Sequence, residues 1–430
     1  MGSDWMRTAT KSRTFFGWRV VAAAFAVAVL GWGTGFYGPP VFLHAVVSQR
    51  GWSLALVSTA VTLHFLFGAL LVAQMPALYR RFGVANVTKF SAVSTAIGLV
   101  LWAVANQPWH LFAATLFSGA GWAGTGALAI NMMVAPWFER RRPAALSLAY
   151  NGASVGGVLF SPLWIFLIDR IGFTPATFGI GALTIVLLWF LSDRYFSAAP
   201  ADLGQCPDGG QAGAAPGGPA AQLPERPGRA LWSSRSFVTY IAGFTIGLFV
   251  QVGIIAHLVS LLIPAMGAGW AGLAAGLATL CAIVGRTLSG WFMPAGADRR
   301  VLAAATYCVQ ACGCGIFILA GGESLPLLWI GILLFGLGIG NVTSLPPLIA
   351  QAEYAKADVA RAIALGTAIG QAGYAFAPAA FGLIRIWSNP ADAAVNPDVP
   401  AFFTIAAVLQ ILAACAYLLG RRVPEAGGNR

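Results

Sequence analysis

Apolar runs of roughly twenty residues, the length a helix needs to cross a bilayer, recur along this chain at 18–46, 54–78, 87–105, 111–137, 144–168 and 174–191. They recur again at 238–263, 269–293, 301–320, 325–349, 359–386 and 401–419. A hydrocarbon core offers no water to an unpaired N–H or C=O, so a chain built of such runs must satisfy its backbone internally as helix. Charged residues make up only 9% of the sequence, against about 25% in soluble domains. The fold expected is an all-α membrane protein with twelve transmembrane helices in two six-helix bundles.

Between the sixth and seventh runs lies a stretch rich in Gly, Pro, Ala and Gln, with no periodicity. It cannot bury a core and is expected to act as a flexible linker. The domain organisation expected is therefore a bundle over 1–196, a linker over 197–234 and a second bundle over 235–430. The net charge of +11 does not point to nucleic acid, because the basic residues stand in ones, twos and threes at the ends of apolar runs. With the N-terminus placed in the cytoplasm, twenty-one of the 25 lysines and arginines fall inside. Arg50, Arg170 and Arg385 fall outside, and Arg286 alone is left in the membrane. The positive-inside rule then puts both termini and the linker in the cytoplasm, in an inner or plasma membrane. Residues 1–16 are polar and basic and the first run is too long for a signal peptide, so none is expected. The six cysteines lack the spacing and the neighbouring histidines or carboxylates of a metal site, and no metal or cofactor is expected.

The two halves echo each other. Gly157 and Pro162 in the fifth run recur as Gly373 and Pro378 in the eleventh, and Arg80-Arg81 after the second run recurs as Arg299-Arg300 after the eighth. Two parallel six-span repeats are the plan of the major facilitator fold, whose site lies between the halves at the midplane.

Arg286 is the residue such a site would be built on. It sits eight positions before Pro294, about 12 Å along a helix, and a guanidinium near mid-bilayer costs at least about 2.5–3.5 kcal/mol to insert. None of the fourteen acids lies mid-span. One reading is that a substrate anion supplies the counter-charge, since a guanidinium fork matches a carboxylate. The other is that backbone carbonyls cap the arginine or that it reaches toward the cytoplasm. Gln371 lies about 18 Å into the eleventh run, as a second ligand or a helix–helix contact. Trp122, mid-span, is either an apolar wall for a substrate tail or core packing. Tyr37, beside Pro39 and Pro40 in the outer half of the first span, is either a hydroxyl donor to a carboxylate or an interfacial aromatic. His64 and His257 are the candidates for carrying a proton, and each is equally readable as a hydrogen-bonded packing residue.

Several motifs, in order, resemble the monocarboxylate transporter and oxalate/formate antiporter branch of the major facilitator superfamily. GWRVV from Gly17 resembles the opening of that branch's first helix, and GWSLALVSTAVTL from Gly51 its approach to the second. PWFERRRPAALSLAYNGASVGG from Pro136 resembles its fourth-to-fifth-helix signature. ADLGQCPDG from Ala201 resembles a short motif of related bacterial transporters. HLVSLL from His257 and GRTLSGWFMPAGADRR from Gly285 resemble the seventh and eighth helices. The resemblance implies a substrate-carboxylate role for Arg286 and a functional tyrosine at Tyr37. It also implies gating loops at Arg80, Arg81 and Gly83 and, in the second half, at Asp298 and Arg299. Two features depart from the pattern. The loop after the second helix usually reads G-x3-D-R-x-G, but here Pro76 replaces the glycine and Arg80 the aspartate. The lysine of oxalate-type members in the eleventh helix is also missing, with Gln371 the polar residue in that region.

The function expected is a monomeric secondary transporter, not an enzyme, moving a small monocarboxylate-like anion by alternating access through proton symport or anion exchange. Its partners would be the substrate anion, the lipid bilayer and, for symport, protons, with no nucleic acid. The competing reading is a major facilitator exporter of hydrophobic or drug-like compounds, which a mid-membrane acid would have favoured.

Overall fold

A computed structural model describes residues 15–209, 228–294, 296–388 and 399–421. Arg7, Lys11, Arg13, Arg226, Arg422 and Arg430, which enter the orientation count, lie outside these residues, as does 210–227 of the expected linker. Among the described residues all regular structure is helical. The first half comprises α1 (Gly17–Gly35), α2 (Gly38–Arg50), α3 (Leu54–Val104), α4 (Pro108–Ala123), α5 (Ala127–Val134), α6 (Arg142–Ile171) and α7 (Phe173–Leu191). The second comprises α8 (Arg235–Phe292), α9 (Arg299–Ala320), α10 (Leu325–Glu353), α11 (Lys356–Tyr374), α12 (Ala377–Ser388) and α13 (Val399–Leu419).

Nine of these helical segments are long and apolar enough to cross a membrane, against the twelve expected from the sequence. The difference has a local cause in each case. The second and third apolar runs follow one another through Gly83 with no loop between them, as one long stretch over 55–104. The fourth is divided between α4 and α5, and the eleventh between α11 and α12.

The long helices α3 and α8 each turn at a glycine. Gly83 has φ 77° and ψ 161°, and Gly267 has φ 77° and ψ 163°, a conformation open to glycine alone. Nothing lies within 4 Å of a Cβ added at either position, so a side chain there would cost backbone strain and no clash. Gly83→Ala and Gly267→Ala should each destabilise the protein by about 1–3 kcal/mol. Thermal unfolding in detergent would show this as a lowered midpoint; midpoints equal to wild type would mean the break does not depend on glycine.

Within the first half α1 packs on α6, and α3 on α4 and α7. Within the second, α8 packs on α10, α11 and α13, and α9 on α10 and α13. The halves meet chiefly through α3–α11 and α6–α8, with smaller contacts at α6–α10 and α5–α11. The seam is also closed at the end where α1 begins and α8 finishes. There Trp18 stacks on Trp291 with ring centroids 6.2 Å apart and planes 6° from parallel. Gln351 of α10 donates from Nε2 to Asn131 Oδ1 of α5 at 3.2 Å. Toward the other end, α2 makes its extensive contacts with α1, α3 and α6. Large apolar side chains such as Phe292 and Leu319 face outward, 77% and 73% exposed, as a lipid-facing surface requires.

The stretch expected to be flexible from Ser197 is fastened as far as Gly209. Asp208 accepts hydrogen bonds from the backbone N–H groups of Glu139, Arg140 and Arg141 at 3.1, 2.6 and 3.2 Å. Gln205 Oε1 accepts from Phe16 N–H at 3.0 Å. Donors just ahead of α6 would otherwise be orphaned, and a carboxylate near a helix N-terminus is favoured electrostatically.

Arg300, expected as a loop charge, is only 1% exposed. Its Nε donates to Glu353 Oε1 at 2.5 Å and its Nη2 to Glu353 Oε2 at 2.8 Å. The same guanidinium reaches Ser236 O at 2.6 Å, Thr239 Oγ1 at 3.1 Å and Tyr417 O at 3.3 Å. One side chain thus ties the starts of α8 and α9 to the ends of α10 and α13.

Candidate functional site

Arg286, Tyr37, Gln371 and Trp122 line one central cavity of about 90 Å³ between the two halves. Gly-mediated close approach sets the arginine in place: a Cβ on Gly340 of α10 would sit 2.2 Å from Ala282 O and 2.7 Å from Arg286 Cβ. This is the small-residue packing that lets membrane helices approach backbone to backbone. Arg286 is 3% exposed. Its Nε donates to Gly340 O at 2.9 Å, and its Nη1 donates to Tyr150 O at 2.7 Å and to Asn151 Oδ1 at 3.1 Å. Those acceptors are two carbonyls and an amide, all neutral. Among the described residues no carboxylate pairs with this guanidinium. It is positioned by the protein and not neutralised by it.

Tyr37 lies at the break between α1 and α2, where Pro39 and Pro40 begin the second segment. Its ring rests on Gly157 of α6, where an added Cβ would be 2.5 Å away. Among the described residues no hydrogen-bond partner meets its hydroxyl, which leaves that donor for the cavity. Trp122 does more than wall the cavity: its Nε1 donates to Gln371 Oε1 at 3.0 Å. Gln371 Nε2 donates in turn to Phe65 O at 2.8 Å. The glutamine therefore joins α11 to α3 and α4 with both ends of its amide engaged. Aromatic rings complete the wall, with Trp32 edge-on to Trp122 at 5.0 Å and Phe36 edge-on to Tyr374 at 5.9 Å.

The two histidines are placed apart from this cavity. His64 is fully buried, with Nε2 2.9 Å from Gly35 O and Nδ1 2.8 Å from Ser118 Oγ. A carbonyl can only accept, so Nε2 carries the hydrogen. Ser118 then donates to Nδ1 while accepting from Trp102 Nε1 at 3.2 Å. Both ring nitrogens are committed. His257 is held in the same manner, Nε2 at 2.9 Å from Pro378 O and Nδ1 facing Arg385 Nη1 at 3.2 Å.

The residues expected as gating loops do not converge. Gly83 is the break in α3, and Arg80 lies just before it. Arg81 sits over its neighbour's ring, Phe82, at 5.1 Å. Asp298 caps α9 through the N–H groups of Arg300 and Val301 and pairs with Arg421 at 2.6 Å. Burial alone would raise its pKa, but Arg421 and those two N–H groups outweigh it and hold the carboxyl below its ordinary range. Arg299 donates to Leu348 O at 2.7 Å. Asp298 and Arg299 thus bond within the second half.

The site expected from the sequence left out three residues. Asn151 and Tyr150 hold Arg286 from the opposite half. Gln251 borders the cavity, and its Oε1 accepts from Gln310 Nε2 at 3.3 Å. Gln251 carried a usable signal, an amide in the middle of an apolar run, where polar groups are expensive unless they have a task. Tyr150 carried none, because it acts through its backbone carbonyl.

Residues 21–378 match the family model described as Major Facilitator Superfamily. Monocarboxylate transporter 11 of Mus musculus is 33% identical over 179 residues, 40% of this chain and 38% of the relative. Monocarboxylate transporter 13 of Bos taurus is 29% identical over 224 residues, 50% of this chain and 47% of the relative. The matched region thus spans less than half the length of either relative. The solved structure of the proton:xylose symporter XylE superimposes with a TM-score of 0.69 at 14% identity, covering 93% of this chain and 94% of that one. That likeness concerns the fold. Taken with the helical architecture and the cavity between its halves, the family match establishes that this chain is a multi-pass membrane protein belonging to the major facilitator superfamily of transporters.

Proposed function

We propose that this protein is a secondary transporter for a small monocarboxylate-like anion, working by alternating access and by exchange of one anion for another. In this reading α3 and α8 each cross twice, α4 with α5 and α11 with α12 cross once each, and the chain makes twelve crossings in two six-helix bundles. The bundles are 1–196 and 235–430, joined by 197–234, with both termini in the cytoplasm of an inner or plasma membrane.

The observation that carries the reading is a buried guanidinium on the cavity wall whose three protein acceptors are all neutral. A site of that kind favours an anion strongly over a neutral or cationic solute. The names of the relatives, monocarboxylate transporters, support the same substrate class. The aromatic wall suits an anion with a short apolar tail. Exchange is favoured over proton symport because His64 and His257 each have both ring nitrogens committed and, among the described residues, no carboxylate is bonded to Arg286. An empty site would leave the charge unpaired, so the carrier returns most readily when loaded.

Purified protein in liposomes tests this. Uptake of labelled acetate, pyruvate or lactate should rise several-fold when the vesicles are preloaded with the unlabelled anion and should be insensitive to a protonophore. No uptake above protein-free vesicles for any of the three would sink the monocarboxylate reading. Uptake that collapses with the protonophore would replace exchange by symport. Preferential transport of an uncharged hydrophobic dye would favour the exporter alternative.

A further inference from the structure

An arginine has five N–H donors, and three of those on Arg286 are taken: one by Gly340, one by Tyr150 and one by Asn151. The two that remain are both on Nη2. A carboxylate docking in the two-pronged geometry that guanidinium favours bonds to two different nitrogens. It can take Nη2 freely but must displace an acceptor from its neighbour. The longest and therefore weakest of the three bonds is the one to Asn151 Oδ1, at 3.1 Å.

Asn151 is more than an acceptor. It lies on α6, across the seam from Arg286 on α8, and its Nδ2 donates to Thr287 Oγ1 at 2.9 Å. Reversing the amide would set its NH2 against the guanidinium donors, so the network fixes its orientation. One turn earlier on α6, Ser147 Oγ donates to Arg286 O at 2.8 Å. Just beyond, a Cβ on Gly290 would lie 2.4 Å from Ser147 Cβ, so the two helices are nearly in backbone contact here. Asn151 is 7% exposed and stands between the cavity above and this closed seam below.

We propose that Asn151 is the release latch of the seam, a neutral stand-in for the substrate's second carboxylate oxygen that the arriving anion displaces. The inference rests on the anion-carrier reading and adds how occupancy reaches the gate. With Oδ1 displaced from Arg286, the side chain loses one of its two bonds across the seam, and α6 is held to α8 here by three hydrogen bonds in place of four. Neutrality is essential to the device. A carboxylate outcompetes an amide for a guanidinium, because both partners of the new bond are charged, whereas a fixed aspartate here would pair with Arg286 permanently.

The test uses the full chain in detergent, with wild type, Asn151→Asp and Asn151→Ala compared by two measurements. The first is the affinity for acetate, pyruvate and lactate from ligand-induced thermal shift. The second is the distance distribution between spin labels at Arg140 and Ala297, on the two sides of the seam, in a cysteine-free background. Asn151→Asp should bind the anions on the order of tenfold or more weakly and keep the short distance. Asn151→Ala should bind at least as tightly as wild type and populate longer distances without ligand. Weaker binding by Asn151→Ala would show that Asn151 is a direct ligand, and an unaltered affinity in Asn151→Asp would show that its charge state is immaterial. Either overturns the latch. If wild type binds none of the three anions, it is the carrier reading that fails, and the latch falls with it.

Discussion

Arg286→Ala should abolish saturable monocarboxylate uptake into liposomes, and Arg286→Lys should leave only a small remnant of it. The two substitutions separate charge from shape. Alanine removes both the charge and all three anchoring bonds to Gly340, Tyr150 and Asn151. Lysine keeps a positive charge but presents it as a compact point on a flexible stem. It cannot bond Gly340 O on one side, α6 on the other and still offer a fork to the substrate. Losing one partner of a buried ion pair costs about 3–5 kcal/mol, so affinity should fall by at least two orders of magnitude in the alanine variant. The fold should survive, because the carbonyls left behind belong to the helical segments of α6 and α10. The measurement is the initial rate of uptake across a range of substrate concentrations, alongside a thermal melt to show that each variant is folded. Wild-type uptake in both variants would remove Arg286 from the site. Wild-type uptake in lysine alone would mean that a positive charge suffices and the fork does not matter.

The second large effect is expected on stability, far from the cavity. Glu353→Gln should destabilise the second half by about 3 kcal/mol, near the lower end for breaking a buried pair because the Glu353 side chain keeps 16% of its exposure. The glutamine can still accept one bond from Arg300, but it no longer supplies the negative charge that offsets a guanidinium 1% exposed. Replacing both partners, Arg300→Met with Glu353→Leu, should recover most of the loss, since well-packed apolar groups often match or exceed a buried pair in stability. Thermal unfolding of Arg300→Met, Glu353→Leu and the double variant forms a cycle that isolates the pairwise energy. A Glu353→Gln midpoint close to wild type would mean that Ser236, Thr239 and Tyr417 hold Arg300 unaided.

These two arginines show how far the sequence could be read. Arg286 stood out because it interrupts an apolar run, and the absence of a mid-span acid already pointed to a charge without a protein counter-ion. Arg300 looked like one more topology signal, since a residue at the mouth of a helix can face water or be folded inward with no change in local sequence. Gln371 was equally ambiguous. Its depth was readable, but its bonds to Trp122 and Phe65 lie 249 and 306 positions away, and they make it a joint between the halves in this conformation. The histidines were visible as polar residues at membrane depth. Only their neighbours, Gly35 and Ser118 for His64, Pro378 and Arg385 for His257, show that both nitrogens are occupied.

By itself the sequence determined that this chain is built of membrane-length apolar helices and that a charge, Arg286, interrupts one of them. Those are one-dimensional properties, because bilayer thickness measures the length of an apolar run and nothing else about it. The tertiary structure alone decided which way each helix is rotated, and hence that Tyr150, Asn151 and Gly340 surround Arg286 and that Arg300 turns inward to Glu353. In a soluble protein an apolar stripe would reveal that rotation. Here lipid and core are both apolar, so a helix carries little record of which face turns inward until its neighbours are packed against it.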